Sequence, residues 1–186
     1  MMSLGISSLM ALLLASSAQS NLVNQAAAPF RVQSFAPVDT QGQPIITPDP
    51  TNEVNFDNCP AGAYKVHGQV STMTITPCQR AESSDQCVFV EGRNYTIQFI
   101  FETSLESDHP RSSVVASDCE GTYAYSGQSF SGCNYTTCPI HANQRSAYTY
   151  HFHTLKSSFN YLTFNLTQSI DGPSILCAGA RITFEP

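Results

Sequence analysis

The chain has 186 residues, and only 12% of them are charged, about half the usual share; Ser, Thr, Asn and Gln stand in their place on the surface. The net charge of -6 at neutral pH argues against a nucleic-acid partner. Five histidines and the carboxylates would shrink that charge at acidic pH.

Residues 1–20 contain no charged side chain. An apolar run from Leu9 to Ala15 is followed by small residues that include Ala18 and Ser20. An apolar centre too short to span a bilayer, ahead of small residues, reads as a secretory signal peptide, although the start lacks the usual Lys or Arg. Residues 21–52 read as a Pro/Gln-rich tether, disordered or loosely docked, because Pro29, Pro37, Pro44, Pro48 and Pro50 interrupt any regular element. A processed pro-segment is the less favoured reading of the same stretch. Residues 53–186 are of ordinary size for one domain with a single core.

That domain has no long segment of helical period and alternates instead with period two. Tyr95, Ile97, Phe99 and Phe101 share one face of a strand, opposite Asn94, Thr96, Gln98 and Glu102, with Ile100 out of pattern. Tyr148, Tyr150 and Phe152 lie opposite Thr149, His151 and His153. Leu162, Phe164 and Leu166 alternate with Thr163, Asn165 and Thr167. Near the end, Leu176, Ala178, Ala180, Ile182 and Phe184 alternate with Gly179, Arg181, Thr183 and Glu185. One apolar and one polar face per strand predicts two antiparallel sheets packed face to face, an all-β, immunoglobulin-like sandwich. Parity fails between Val70 and Met73, which predicts a β-bulge near Ser71. Cys177 falls on the polar parity of its strand and is expected at the sandwich edge.

Secretion implies an oxidising compartment and paired cysteines. There are seven cysteines, and any six of them allow fifteen pairings, which spacing leaves open. Three sequons, beginning at Asn94, Asn134 and Asn165, are candidate glycosylation sites. Asn94 and Asn165 fall on polar faces, where a glycan would project into water.

Five stretches, in order, carry a family resemblance: N-F-D-N-C (Asn55 to Cys59), I-T-P-C (Ile75 to Cys78) followed by Cys87, E-G-R-N-Y-T-I-Q-F-I-F (Glu91 to Phe101), C-N-Y-T-T-C-P-I (Cys133 to Ile140) with Tyr148 to Tyr150 after it, and I-L-C-A (Ile175 to Ala178). Together they resemble the ML lipid-recognition domains over Glu53 to Pro186. The resemblance implies the pairing Cys59–Cys177, Cys78–Cys87 and Cys133–Cys138. It leaves Cys119 without a family partner, expected as a buried thiol or, failing that, the link of a covalent dimer. The chain has no Trp; its tail and its close C-x4-C spacing are nearer to the mite-allergen branch of the family than to the sterol-transfer branch.

The resemblance also implies a lipid held between the two sheets. Taken alone, the inward rings Phe99, Phe101, Tyr148, Tyr150, Phe152, Phe159 and Phe164 would simply fill a core; the resemblance makes them walls of an apolar cavity. It further implies that Tyr125, Leu155 and Phe159 stand at the mouth. The enzyme readings are poor. His151 and His153 share a strand face but lack a third ligand, and no nucleophile elbow, phosphate loop or His-Glu-x-x-His motif is present. Neither a metal nor a cofactor is expected.

The function implied is a secreted, monomeric lipid-binding and transfer protein, exported or delivered to the endosomal-lysosomal lumen. It would take a sterol, fatty acid or phospholipid and exchange it with a membrane surface or a receiving protein. Two alternatives are an innate-immune module presenting a lipid to a receptor and an adhesion-type sandwich with a filled core.

Overall fold

The computed structural model describes residues 30–33, 52–59, 65–80, 85–124, 128–154 and 159–184. The signal-peptide segment and most of the tether lie outside them. Eleven strands are described: β1 (Phe30–Gln33), β2 (Asp57–Asn58), β3 (Gly68–Thr76), β4 (Gln79–Arg80), β5 (Cys87–Phe89), β6 (Asn94–Thr103), β7 (Arg111–Ser117), β8 (Thr122–Ala124), β9 (Ser146–Thr154), β10 (Tyr161–Thr167) and β11 (Ser174–Phe184). One sheet runs β1-β9-β6-β3. The other runs β4-β5-β11-β10-β7-β8, with β2 laid along β11. This is the all-β sandwich that the alternation predicts.

One pairing departs from the antiparallel expectation. β5 runs parallel to β11, Cys87 opposite Ile182 and Phe89 opposite Phe184. Parallel neighbours need a long connection, and here it is most of the domain, from Val90 to Pro173. Periodicity within either strand carries no information about so distant a partner.

The predicted bulge is present. Val70 pairs with Phe101 and Thr72 with Ile100, so Ser71 is the extra residue, and its hydroxyl donates to the Ile100 carbonyl at 3.1 Å. The shift returns Met73 and Ile75 to the inner face, where both are buried. They pack with Tyr95, Ile97, Phe99, Tyr148 and Tyr150 of their own sheet against Phe89, Val114, Ala116, Leu162, Phe164, Leu166, Ala178, Ala180 and Ile182 of the other.

β11 is buried on both faces for most of its length, which corrects the expectation for Cys177. That residue is on the outward parity as predicted, yet it is only 1% exposed. β11 is an interior strand, and β2 runs along it with Asn58 opposite Ala178. The backbone N–H of Cys59 donates to the Cys177 carbonyl at 3.1 Å. Gly179 is required for a related reason: a Cβ there would stand 2.6 Å from the Tyr161 ring and from the Leu162 carbonyl. The three disulfides are Cys59–Cys177, Cys78–Cys87 and Cys133–Cys138.

Cys119 is exposed, contrary to the expectation of a buried thiol. It sits in the turn between β7 and β8, which the Asp118 carboxylate holds together by accepting the N–H groups of Glu120 and Gly121. Asp side chains favour such turns because they hydrogen-bond backbone groups a residue or two further on. Within the segment read as a tether, Phe30–Gln33 is docked as β1 along the outer edge of β9.

Candidate functional site

Phe164, at the middle of β10, points from one sheet into three rings of the other. Its centroid lies 5.0 Å from that of Phe99, 5.7 Å from Tyr150 and 6.3 Å from Tyr148. The tilted and edge-on angles are those favoured by the ring quadrupole. All four residues stand in the predicted set, and alternation places them: Phe99 faces Tyr148 across the β6–β9 pair, and Phe164 lies opposite Ala178 and Val114. The rings expected to line the two walls therefore meet one another at the centre of the sandwich.

A fifth ring belongs to the same cluster and periodicity missed it. Tyr135 is fully buried, with its centroid 5.2 Å from Tyr150 and 5.5 Å from Tyr148. It comes from the loop clipped by Cys133–Cys138, just after a 3-10 turn at Gly132–Asn134. Its carbonyl accepts the Thr149 N–H at 2.7 Å, which stitches the loop to β9. The available signal was the five-residue spacing of the two cysteines around an aromatic, which leaves a short closed loop little room except against the sheet.

Polar atoms in this interior are few and mostly matched. The hydroxyls of Tyr148 and Ser112 are 2.7 Å apart and buried, a hydrogen bond that joins β9 of one sheet to β7 of the other. Burial pushes the Tyr148 phenol far above its ordinary range, and the Ser112 bond only partly opposes this. Burial likewise raises Tyr135, whose hydroxyl donates to the Ser129 carbonyl. Both phenols stay neutral at physiological pH and act as apolar walls with a single polar point.

Phe159, expected at the mouth, belongs to a second cluster. It meets Phe184 at 5.1 Å; Phe184 meets Phe89 at 5.9 Å; Phe89 stacks on Tyr95 at 4.2 Å. Phe101 is buried toward the far end of β6 and borders an open surface groove with Val66, His67 and Arg145. The backbone of Phe152 pairs with Tyr95; its side chain, with Tyr125 and Leu155, lies outside the described residues.

On the outer face of the β6–β9 pair, the two strand histidines are tied to neighbours. His151 Nδ1 is 2.8 Å from Thr96 Oγ1, and His153 Nδ1 is 2.9 Å from Asn94 Oδ1. The sequon asparagines differ in setting. Asn94 is exposed and Asn134 half-buried, whereas Asn165 is 8% exposed and accepts the Ser174 hydroxyl at 2.5 Å. Outward parity at Asn165 therefore does not bring it to water, because Ser174 of the neighbouring strand covers it.

A sandwich of two β-sheets, stapled by three disulfides and lined on both inner faces by its largest apolar side chains, is the class that fold and site define. The ML domain family model matches residues 53–184, and the chain belongs to that family. Among solved structures, a Niemann-Pick type C2 protein from the Japanese carpenter ant superposes with a TM-score of 0.58 at 14% identity, covering 70% of this chain and 99% of that one. At that identity the likeness establishes the fold. No curated protein matches the sequence.

Proposed function

We propose that this protein is a secreted carrier that holds one lipid, a sterol or a molecule of similar size, between its two sheets and exchanges it with membranes or a receiving protein. The observation that carries the reading is the aromatic cluster of Phe99, Tyr148, Tyr150 and Phe164, which concentrates adaptable apolar surface where the sheets meet. Membership of the ML domain family supports it. The lipid replaces ring-to-ring contacts with ring-to-lipid contacts as the sheets part. Burying a few hundred Å² of lipid surface yields roughly 25 cal/mol per Å² before the costs of opening and immobilisation are subtracted. The Tyr148–Ser112 pair gives a lipid hydroxyl or carboxyl a place to bond. Tyr125, Leu155, Phe152 and Phe159 complete the proposed walls and mouth. No step of this function requires catalysis.

Transfer is tested with phosphatidylcholine donor vesicles carrying a fluorescent sterol, and in parallel a fluorescent fatty acid, together with unlabelled acceptors. The expected result is acceleration of transfer in proportion to protein concentration for at least one of the two. Rates equal to the protein-free control for both would sink the transfer reading.

Glycan use should follow exposure. Asn94 is proposed to be occupied in protein secreted from eukaryotic cells, and Asn165 to be largely bare, because Asn165 is only 8% exposed whereas Asn94 faces water. Glycopeptide mapping reads both sites, and full occupancy at Asn165 would contradict the packing described for it.

A further inference from the structure

The interior of the sandwich is apolar along β7 and polar at one end of it. Ser112, near the start of β7, is 2% exposed and Tyr148 of β9 is 1% exposed; their hydroxyls lie 2.7 Å apart. Beyond Ser112 the next residues on the same face of β7 are Val114 and Ala116, both buried. Leu162, Phe164 and Leu166 of β10 stand beside them.

Register places the hydroxyl pair at the end away from the proposed mouth. Asn160, next to Phe159, donates its N–H to the Ser117 carbonyl at 3.0 Å, at the near end of β7. Ser112 pairs with Leu166 at the far end. Five positions of strand separate Ser117 from Ser112, about 17 Å at the usual rise. On the other sheet, the ring cluster of Phe159 reaches Tyr95 through Phe184 and Phe89. Tyr95 pairs with Phe152, four positions from Tyr148, about 13 Å. Both distances put the pair at the reach of a sterol side chain or the end of a fatty-acid chain. The far end is covered: Ser112 N–H donates to the Phe130 carbonyl at 3.0 Å and Gly132 N–H to the Pro110 carbonyl at 2.7 Å. A Cβ at Gly132 would stand 2.7 Å from Leu166 Cδ1, so the chain entering the Cys133–Cys138 loop rests on the core there.

Two hydroxyls carry two hydrogens, and their mutual bond uses one. Other buried polar side chains in this region end on backbone groups. Gln128 bonds both the N–H and the carbonyl of Val114, and the Thr136 hydroxyl donates to the Ala147 carbonyl. Among the described residues, neither hydroxyl of the pair has a second partner. One hydrogen and several lone pairs are left in a dry interior, where a matching polar group gains a bond. None of the buried side chains among the described residues is cationic. The position therefore suits a neutral oxygen and penalises a carboxylate.

We propose that Tyr148 and Ser112 are specificity-determining residues that hydrogen-bond a hydroxyl at the buried terminus of the lipid. The inference rests on the reading that a lipid lies between the sheets with its head at the Phe159 end. The ligand class that follows is a lipid oxygenated at both ends, with its head in water at the mouth and a hydroxyl at its far tip. A sterol hydroxylated at the end of its side chain has this chemistry, and so has a fatty acid hydroxylated on its terminal carbon. A lipid with one polar end leaves the pair bonded only to itself.

The test measures the affinity of the full secreted chain for cholesterol against 25-hydroxycholesterol, and for palmitic acid against 16-hydroxypalmitic acid. The hydroxylated member should bind about tenfold more tightly in at least one of the two comparisons, the effect of one net hydrogen bond. The comparison that shows the preference names the sterol or the fatty acid as its source. Tyr148→Phe with Ser112→Ala removes both hydroxyls together and strands neither, which keeps the fold; the preference should vanish in it. A preference that persists in this variant overturns the assignment to these two residues. Equal or weaker binding of both hydroxylated lipids by the parent, a comparison that needs no variant, overturns the inference and leaves a lipid between the sheets standing. A parent that binds none of the four lipids overturns the carrier reading as well.

Discussion

Replacing Cys59 and Cys177 together by Ser lowers the melting temperature by on the order of 15 °C, the largest loss among the three bridges. Cross-linking restricts the unfolded chain more as the enclosed loop lengthens. The bridge spans a sequence separation of 118, against 9 for Cys78–Cys87 and 5 for Cys133–Cys138. By loop entropy alone, the long bridge contributes about 5 kcal/mol and the short ones about 2–3 kcal/mol each. A domain of this size loses roughly 3–4 °C per kcal/mol. The folded state loses as well, because the bridge holds β2 against β11 at a residue that is only 1% exposed. Thermal unfolding of the three paired-serine variants checks the order. A Cys133/Cys138 variant that melts below the Cys59/Cys177 variant would show that native-state packing of the Tyr135 loop, and not chain entropy, dominates.

Phe164→Ala should cost the empty protein about 3–5 kcal/mol, the usual range for removing a fully buried ring. The ring touches Phe99, Tyr148 and Tyr150 at once, and strands on both sides limit how far the site can collapse. The same variant separates a lipid site from an ordinary core. In a lipid site, a bound sterol occupies the space the ring leaves, and binding to the native state alone raises stability with ligand concentration. The stabilisation by sterol should therefore be larger in Phe164→Ala than in the parent. A variant destabilised as expected but stabilised by sterol to the same extent as the parent would place the lipid elsewhere on the molecule.

Alternation was enough to read the sandwich and four of the five central rings, because a strand with one buried face repeats every two residues and Phe99, Tyr148, Tyr150 and Phe164 obey that rule. The bulge at Ser71 was legible for the same reason, as a place where the parity of one strand shifted. Tyr135 was not, since it lies on no strand and its burial comes from loop closure. Cys177 and Asn165 were assigned the correct face and the wrong environment. Parity tells which way a side chain points but not whether β2, Cys59 or Ser174 stands over it. The parallel β5–β11 pair and the docking of β1 depend on partners 95 and about 120 residues away in register. Phe30 to Gln33 alternates over four residues only, too few to stand out among prolines. The disulfide pairing followed from the family resemblance; cysteine spacing alone left it open.

The central claim is that a lipid occupies the space between the sheets. The most direct measurement is native mass spectrometry of the protein secreted from eukaryotic cells, with the released ligand identified after denaturation. One lipid of defined mass per chain, lost on unfolding, is the result predicted. A protein that stays empty after incubation with sterols, fatty acids and phospholipids would contradict the claim and leave Phe164 and its neighbours as a filled core.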